Sequence, residues 1–302
     1  MGSTKGITKQ YLIDIHKWRS VMALIACTIT LVSSCYAMAS VIRNYVSQGW
    51  YLPDMFRYFT TLSNMLAALA SSFIMPFAIN GIRKKRFVLP KWLSMLHYSG
   101  TVCLALIFVF AMTFIMSYSK DEAIGGNNFY LHLICPIAVL ISYVLVESSH
   151  KFSWKETLIC LIPFIIYSLV YLVMVVVIGE ENGGWPDLYK LVTFVPVYIS
   201  FPSMAVVAYL VAFAVRKLSD WVSGRREAQM LSSWSKEAEP VEINIEVYGL
   251  GRFYGSHGDK DNLTVPLDIL ETLSNYYKMD LSALYNVYTK GLLEGVKERE
   301  DQ

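Results

Sequence analysis

Apolar residues gather along this chain in six runs separated by short polar segments. A bilayer-crossing helix needs roughly 20 mostly apolar residues, and Val21–Ile42, Tyr58–Ile82, Leu93–Ser119, Asn127–Val146, Thr157–Gly179 and Leu191–Val215 all meet that length. Connections this short make consecutive helices antiparallel neighbours. The first run is too long, and too much like the other five, for a cleaved signal sequence. The pattern predicts an all-α polytopic membrane protein: a six-transmembrane-helix bundle over residues 1–215. No internal repeat stands out, which counts against an inverted-repeat transporter.

The pattern changes after Val215. Residues 216–240 are polar with scattered apolar positions, which fits either a basic helix lying on the membrane surface or a solvated connector. Val241–Tyr248 reads VEINIEVY, a period-two alternation that predicts a half-buried strand. Helices are expected over about Pro266–Lys278 and Leu281–Arg299, the second capped by Asp280. Residues 241–302 are thus expected to form a small cytosolic α+β domain. Its Gly249–Gly255 segment, GLGRFYG, lacks the glycine spacing of a dinucleotide-binding turn. Ser256, His257 and Asp259 are too close in sequence to form a triad. Both segments read as turns.

Composition agrees with a membrane protein. Hydrophobic residues make up 55% and charged residues 17% of the chain, against about 25% charged in soluble proteins. A net charge of +2 is too small for a nucleic-acid surface. The distribution of basic residues sets orientation. Arg83-Lys84-Lys85-Arg86 and most other lysines and arginines fall on one side, whereas Arg43, Arg57, Lys120 and Lys190 fall on the other. This arrangement predicts a multi-pass protein of the cytoplasmic membrane with both termini in the cytoplasm. All five cysteines lie within spans and read as small apolar residues. They show no metal-ligand spacing, and no motif calls for a cofactor.

Candidate chemistry lies in the second and fourth runs. Thr60, Ser63, Asn64, Ala67, Ala68 and Ser71 share one helical stripe, while Leu62, Met65, Leu66, Leu69 and Phe73 take the remaining surface. Small residues on one stripe permit close helix approach, and their polar groups can bond across it. In the predicted orientation Thr60, Ser63 and Asn64 sit within about two turns of the outer interface. His132 lies about five residues into the fourth span, roughly 8 Å by helical rise, at similar depth on the same side. An ionisable residue inside a span is a functional candidate, although a histidine satisfied within the core is the alternative. Pro136 cannot donate to the His132 carbonyl, so that carbonyl needs another partner. A polar cavity around His132 follows, with Tyr58, Asn128 and Asp187 as further lining candidates and Tyr189 nearby.

The segments YFTTLSN, NFYLHLICPIAVL, PFIIYSLVYLVM and GGWPDLYKL resemble a bacterial family of six-helix membrane proteins without an assigned activity. More distantly they are similar to the androgen-induced and androgen-dependent membrane hydrolases of eukaryotes. Those proteins split fatty-acid esters of hydroxy fatty acids with an intramembrane threonine and histidine. The resemblance matches Tyr58-Phe59-Thr60 to the threonine site and His132 to the histidine. It implies Thr60 as nucleophile, His132 as its base, and Ser63 and Asn64 as oxyanion donors. Membrane lipids, and a lipid ester as substrate, are the partners this implies. Two other readings use the same features: a carrier for a small polar solute, and a non-enzymatic adaptor whose cytosolic domain recruits an unknown partner.

Overall fold

The computed structural model describes residues 7–84, 87, 89–146, 152–193, 195–233, 240–257, 267, 270–271, 273–274 and 279–300. These residues are predominantly helical, with no strand among them. The elements used below are α1 (Ile7–Ser47), α2 (Phe59–Lys84), α3 (Lys91–Phe110), α4 (Lys120–Ile124), α5 (Cys135–Ile141), α6 (Trp154–Ile159), α7 (Ile162–Leu172), α8 (Val197–Ser233), α9 (Pro240–His257) and α10 (Leu281–Glu300). The chain divides into two compact units. One comprises Val21–Ile79 and Val88–Asp220; the other comprises Met1–Ser20, Asn80–Phe87 and Trp221–Gln302.

Five helices among the described residues are long and apolar enough to cross a membrane: Trp18–Ser47, Phe59–Arg83, Lys91–Tyr118, Trp154–Ile178 and Val197–Ser223. The expected fourth span is instead a shorter apolar helix, Tyr130–Val144. Asn127 belongs to the turn that precedes it, and Asn128 opens the helix with its Nδ2 bonded back to the Glu122 carbonyl. The expected sixth span also starts late, because Leu191 and Val192 belong to a turn anchored on Asp187. Residues 216–233 continue α8 without interruption.

α3 forms the core of the first unit. Leu93, Tyr98, Val102, Cys103 and Leu104 are completely buried, and α3 packs against α5 and α7. α2 crosses it at a point of close backbone approach, where a Cβ on Gly100 would sit 3.3 Å from the Ala67 Cα. The α2 stripe makes this crossing possible: Ser63, Asn64, Ala67 and Ser71 are buried, while Met65, Leu69 and Phe73 are exposed. Ile166, Leu169 and Val177 on the 154–178 helix are also exposed. Such a band of large apolar side chains is suited to lipid rather than water.

The second unit overturns the strand expectation. Residues 241–248 lie within α9, and Ile243, Val247, Leu250 and Tyr254 make one buried face. Ile243 and Val247 satisfy both the two-residue alternation and the four-residue helical spacing. Leu250 and Tyr254, beyond the VEINIEVY window, distinguish the two. Gly249, Gly251 and Gly255 are likewise helical instead of forming a turn. Asp259 and most of the expected 266–278 helix lie outside the described residues, whereas the second expected helix is present as α10. Asp280 caps α10, accepting the Ser282 N–H at 3.1 Å.

α9 and α10 run parallel at very close range. Gly251 faces the backbone of Tyr288 and Leu292, and Gly255 faces that of Leu292 and Val296. Gly291 and Gly295 reciprocate against Tyr248, Arg252 and Ser256. The underlying sequence signal is a repeat, Val-Tyr-x-x-Gly-x-x-x-Gly, present at Val247–Gly255 and at Val287–Gly295.

Candidate functional site

Thr60 is the second residue of α2, and Tyr58 immediately before the helix is extended. That entry turns the Thr60 side chain inward, where its Oγ1 lies 3.4 Å from His132 Nε2. The imidazole is only 6% exposed. It projects from a wide turn over Tyr130–Ile134, in which the Cys135 N–H reaches back five residues to the Tyr130 carbonyl. Such π-helical turns recur at functional positions because they re-aim a side chain within an otherwise regular helix.

The second imidazole nitrogen identifies the tautomer. His132 Nδ1 is 2.7 Å from the Ala123 carbonyl, and a carbonyl oxygen only accepts. The proton is therefore on Nδ1, and in the neutral ring Nε2 presents its lone pair to the Thr60 hydroxyl. This is the arrangement a general base requires: nucleophile, base, and a third group that orients the base. Here the orienting group is a backbone carbonyl on α4. Ser119 caps α4 by accepting the Glu122 N–H at 3.2 Å. Asn128 Nδ2 donates to the Glu122 carbonyl at 2.8 Å. Together these bonds hold a compact hook, with Ala123 completely buried inside it.

Thr60 and His132 both line one pocket. Its walls are largely apolar, built by residues such as Leu106, Ile107, Phe110, Phe164, Phe201 and Met204. Polar lining residues are few: besides Thr60 and His132 they are Ser168, Tyr167, Tyr171 and Tyr189. A concave apolar cavity with a few convergent polar groups is the usual form of a small-molecule site.

Asp187 stands one step behind the pocket. Its carboxylate accepts the Tyr171 hydroxyl at 2.7 Å and the backbone N–H groups of Leu191, Val192 and Thr193 at 2.9–3.0 Å. Burial alone would raise its pKa, but these bonds outweigh burial and hold the carboxyl below its ordinary range. Tyr171 in turn accepts the Tyr189 N–H at 3.3 Å. Asp187 thus shapes the loop that delivers Tyr189 instead of facing the cavity.

The remaining expected site residues have other roles. Asn64 Nδ2 donates to the Thr60 carbonyl at 2.8 Å and the Leu131 carbonyl at 3.4 Å, so it bridges α2 to the His132 turn and its N–H bonds are already committed. Ser63 is buried and does not line the pocket. Asn128 supports the α4 hook, and Tyr58 pairs with Tyr45 of α1. Sequence reasoning missed two groups. The Ala123 carbonyl carries no side-chain signal. Tyr167 and Tyr171 did carry one: with Phe164 they recur at three- and four-residue spacing on one face of an apolar helix.

No protein-family model, curated protein or solved structure matches the chain. Among the described residues no cluster of three or more histidine, cysteine or acidic side chains is arranged to hold a metal ion.

Proposed function

We propose that the protein is an intramembrane hydrolase of fatty-acyl esters, with Thr60 as nucleophile and His132 as general base. The observation that carries this reading is the Thr60–His132 pair, tautomer already set by Ala123, in the wall of an apolar pocket. A threonine hydroxyl is a weak nucleophile until a base takes its proton. The Nε2 lone pair is placed for that step, and the 3.4 Å separation can shorten when substrate fills the site.

The sequence of events follows. Thr60 Oγ1 attacks the ester carbon while its proton passes to Nε2. The tetrahedral intermediate collapses, and the departing alkoxide takes the proton back from Nε2. Water then attacks the acyl carbon as Nε2 takes its proton, and the C–Oγ1 bond breaks as Nε2 returns that proton to Oγ1, releasing the carboxylic acid and restoring Thr60. The apolar walls hold an acyl chain, and the preference for long chains follows from the loss of water by each buried methylene, about 0.8 kcal/mol. The distribution of basic residues along the chain supports a site toward the outer leaflet.

Purified protein in detergent is expected to hydrolyse long-chain p-nitrophenyl esters and to be labelled by a fluorophosphonate probe. Thr60→Ala should abolish both, and His132→Ala should slow them by about 10²–10⁴-fold. Undiminished labelling in both variants would remove these residues from the mechanism.

A further inference from the structure

The hydrolysis just described needs a donor for the negative oxygen of the tetrahedral intermediate. Asn64 cannot supply it, because its amide N–H groups already serve the Thr60 and Leu131 carbonyls. Tyr189 is better placed. Its phenol oxygen accepts the Phe59 backbone N–H at 2.7 Å, at the first turn of α2. It is also within hydrogen-bonding range of Tyr167 and of the Thr60 backbone and side chain. The ring is held between Phe110 and Tyr171, at centroid distances of 5.9 and 5.6 Å.

The hydrogens in this cluster can be placed by elimination. Tyr167 donates its only O–H hydrogen to the Arg57 carbonyl at 2.7 Å. The Phe59 N–H occupies one Tyr189 lone pair. The single Tyr189 hydrogen is left with two acceptors in reach, the Tyr167 oxygen and the Thr60 oxygen.

We propose, resting on the esterase reading above, that Tyr189 is a catalytic residue whose O–H stabilises the oxyanion formed when Thr60 attacks. As the Thr60 Oγ1–carbon bond forms, the carbonyl π pair moves onto oxygen and the Thr60 proton moves to His132. The new oxyanion arises on the carbon bonded to Oγ1, beside the phenol. Tyr189 turns its hydrogen from Tyr167 to that oxygen without giving it up. Collapse re-forms the carbonyl, breaks the bond to the alkoxide, and returns Tyr189 to Tyr167. A donor fixed before reaction in a site poor in water is worth far more than one in water.

The test compares Tyr189→Phe with wild type and Thr60→Ala on a long-chain p-nitrophenyl ester. Loss of one oxyanion donor should lower kcat about 10²–10³-fold at a KM close to wild type, and the unfolding temperature should fall modestly because the Phe59 N–H loses its acceptor. Fluorophosphonate should still label Thr60 to completion, only more slowly. Wild-type kcat in Tyr189→Phe, with Thr60→Ala inactive, overturns the Tyr189 proposal and leaves the esterase reading intact. Wild-type hydrolysis in Thr60→Ala overturns both. If Tyr189→Phe does not fold, 3-fluorotyrosine at position 189 keeps the Phe59 contact and donates more strongly. It should raise kcat at unchanged KM, and an unaltered kcat overturns the proposal.

Discussion

His132 Nδ1 sits 2.7 Å from the carbonyl of Ala123, and this bond determines which face of the imidazole is basic. An acidic orienting residue would also stabilise an imidazolium by charge, whereas a backbone carbonyl offers only its dipole. The imidazole at this site is thus held firmly in one orientation. Nitrogen NMR of histidine-labelled protein is expected to show His132 protonated at Nδ1 and bare at Nε2 in the neutral state. A proton on Nε2 would contradict the arrangement.

Asn64 offers a test of bridging against catalysis. Replacing it with leucine removes one bond within α2 and the one that ties α2 to the His132 turn, and leaves the Thr60 and Leu131 carbonyls short of a partner. A buried group left unsatisfied costs about 1–3 kcal/mol. Asn64→Leu should therefore lower the unfolding temperature together with kcat. A fall in kcat at unchanged stability would instead return Asn64 to the role of oxyanion donor.

How far this site could be read from the sequence depends on what kind of group each part uses. Thr60 and His132 were visible because both sit near the starts of long apolar runs. The inward stripe of α2 was visible because small residues recur at helical spacing. The direction of the Asn64 amide was not, since one residue type donates equally well to an oxyanion or to a carbonyl on the next helix. Ala123 was invisible for a stricter reason, because its contribution is a backbone oxygen that every residue has.

The strand expectation failed for another reason. A window of eight residues cannot separate period two from period 3.6 when Ile243 and Val247 satisfy both, and the glycines that follow suggest a turn. They are in fact the contact surface of α9. Glycine costs a helix roughly 1 kcal/mol relative to alanine, so four of them across two helices signal a contact too close for any side chain.

Asp187 predicts a pH dependence. Its folded-state pKa is depressed, so its stabilising effect is complete above the unfolded carboxylate pKa of about 3.9. That effect is lost as pH falls through the lower folded value. Asp187→Asn should show a flatter loss of stability on acidification below about pH 4, and lower stability at neutral pH. Because the loop it anchors carries Tyr189, kcat should fall with it. An acid unfolding curve identical to wild type would show that the Tyr171 and backbone bonds contribute nothing measurable.

The glycine contact between α9 and α10 predicts where the C-terminal unit is most fragile. A methyl group on Gly251 would collide with the Tyr288 carbonyl, and one on Gly295 with the Arg252 carbonyl. Both obstacles are backbone, so neither can rotate aside, and the helices must separate. Overpacking of this kind costs about 1–3 kcal/mol, occasionally more. Separation would also expose Val247, Leu284 and Tyr288, which are completely buried. Gly251→Ala should thus make residues 240–300 susceptible to limited proteolysis under conditions where the wild-type unit resists. Gly249→Ala, at a helical position whose added methyl meets nothing within 4 Å, should leave that resistance intact. Equal cleavage of the two variants would mean that the parallel glycine contact does not hold this unit together.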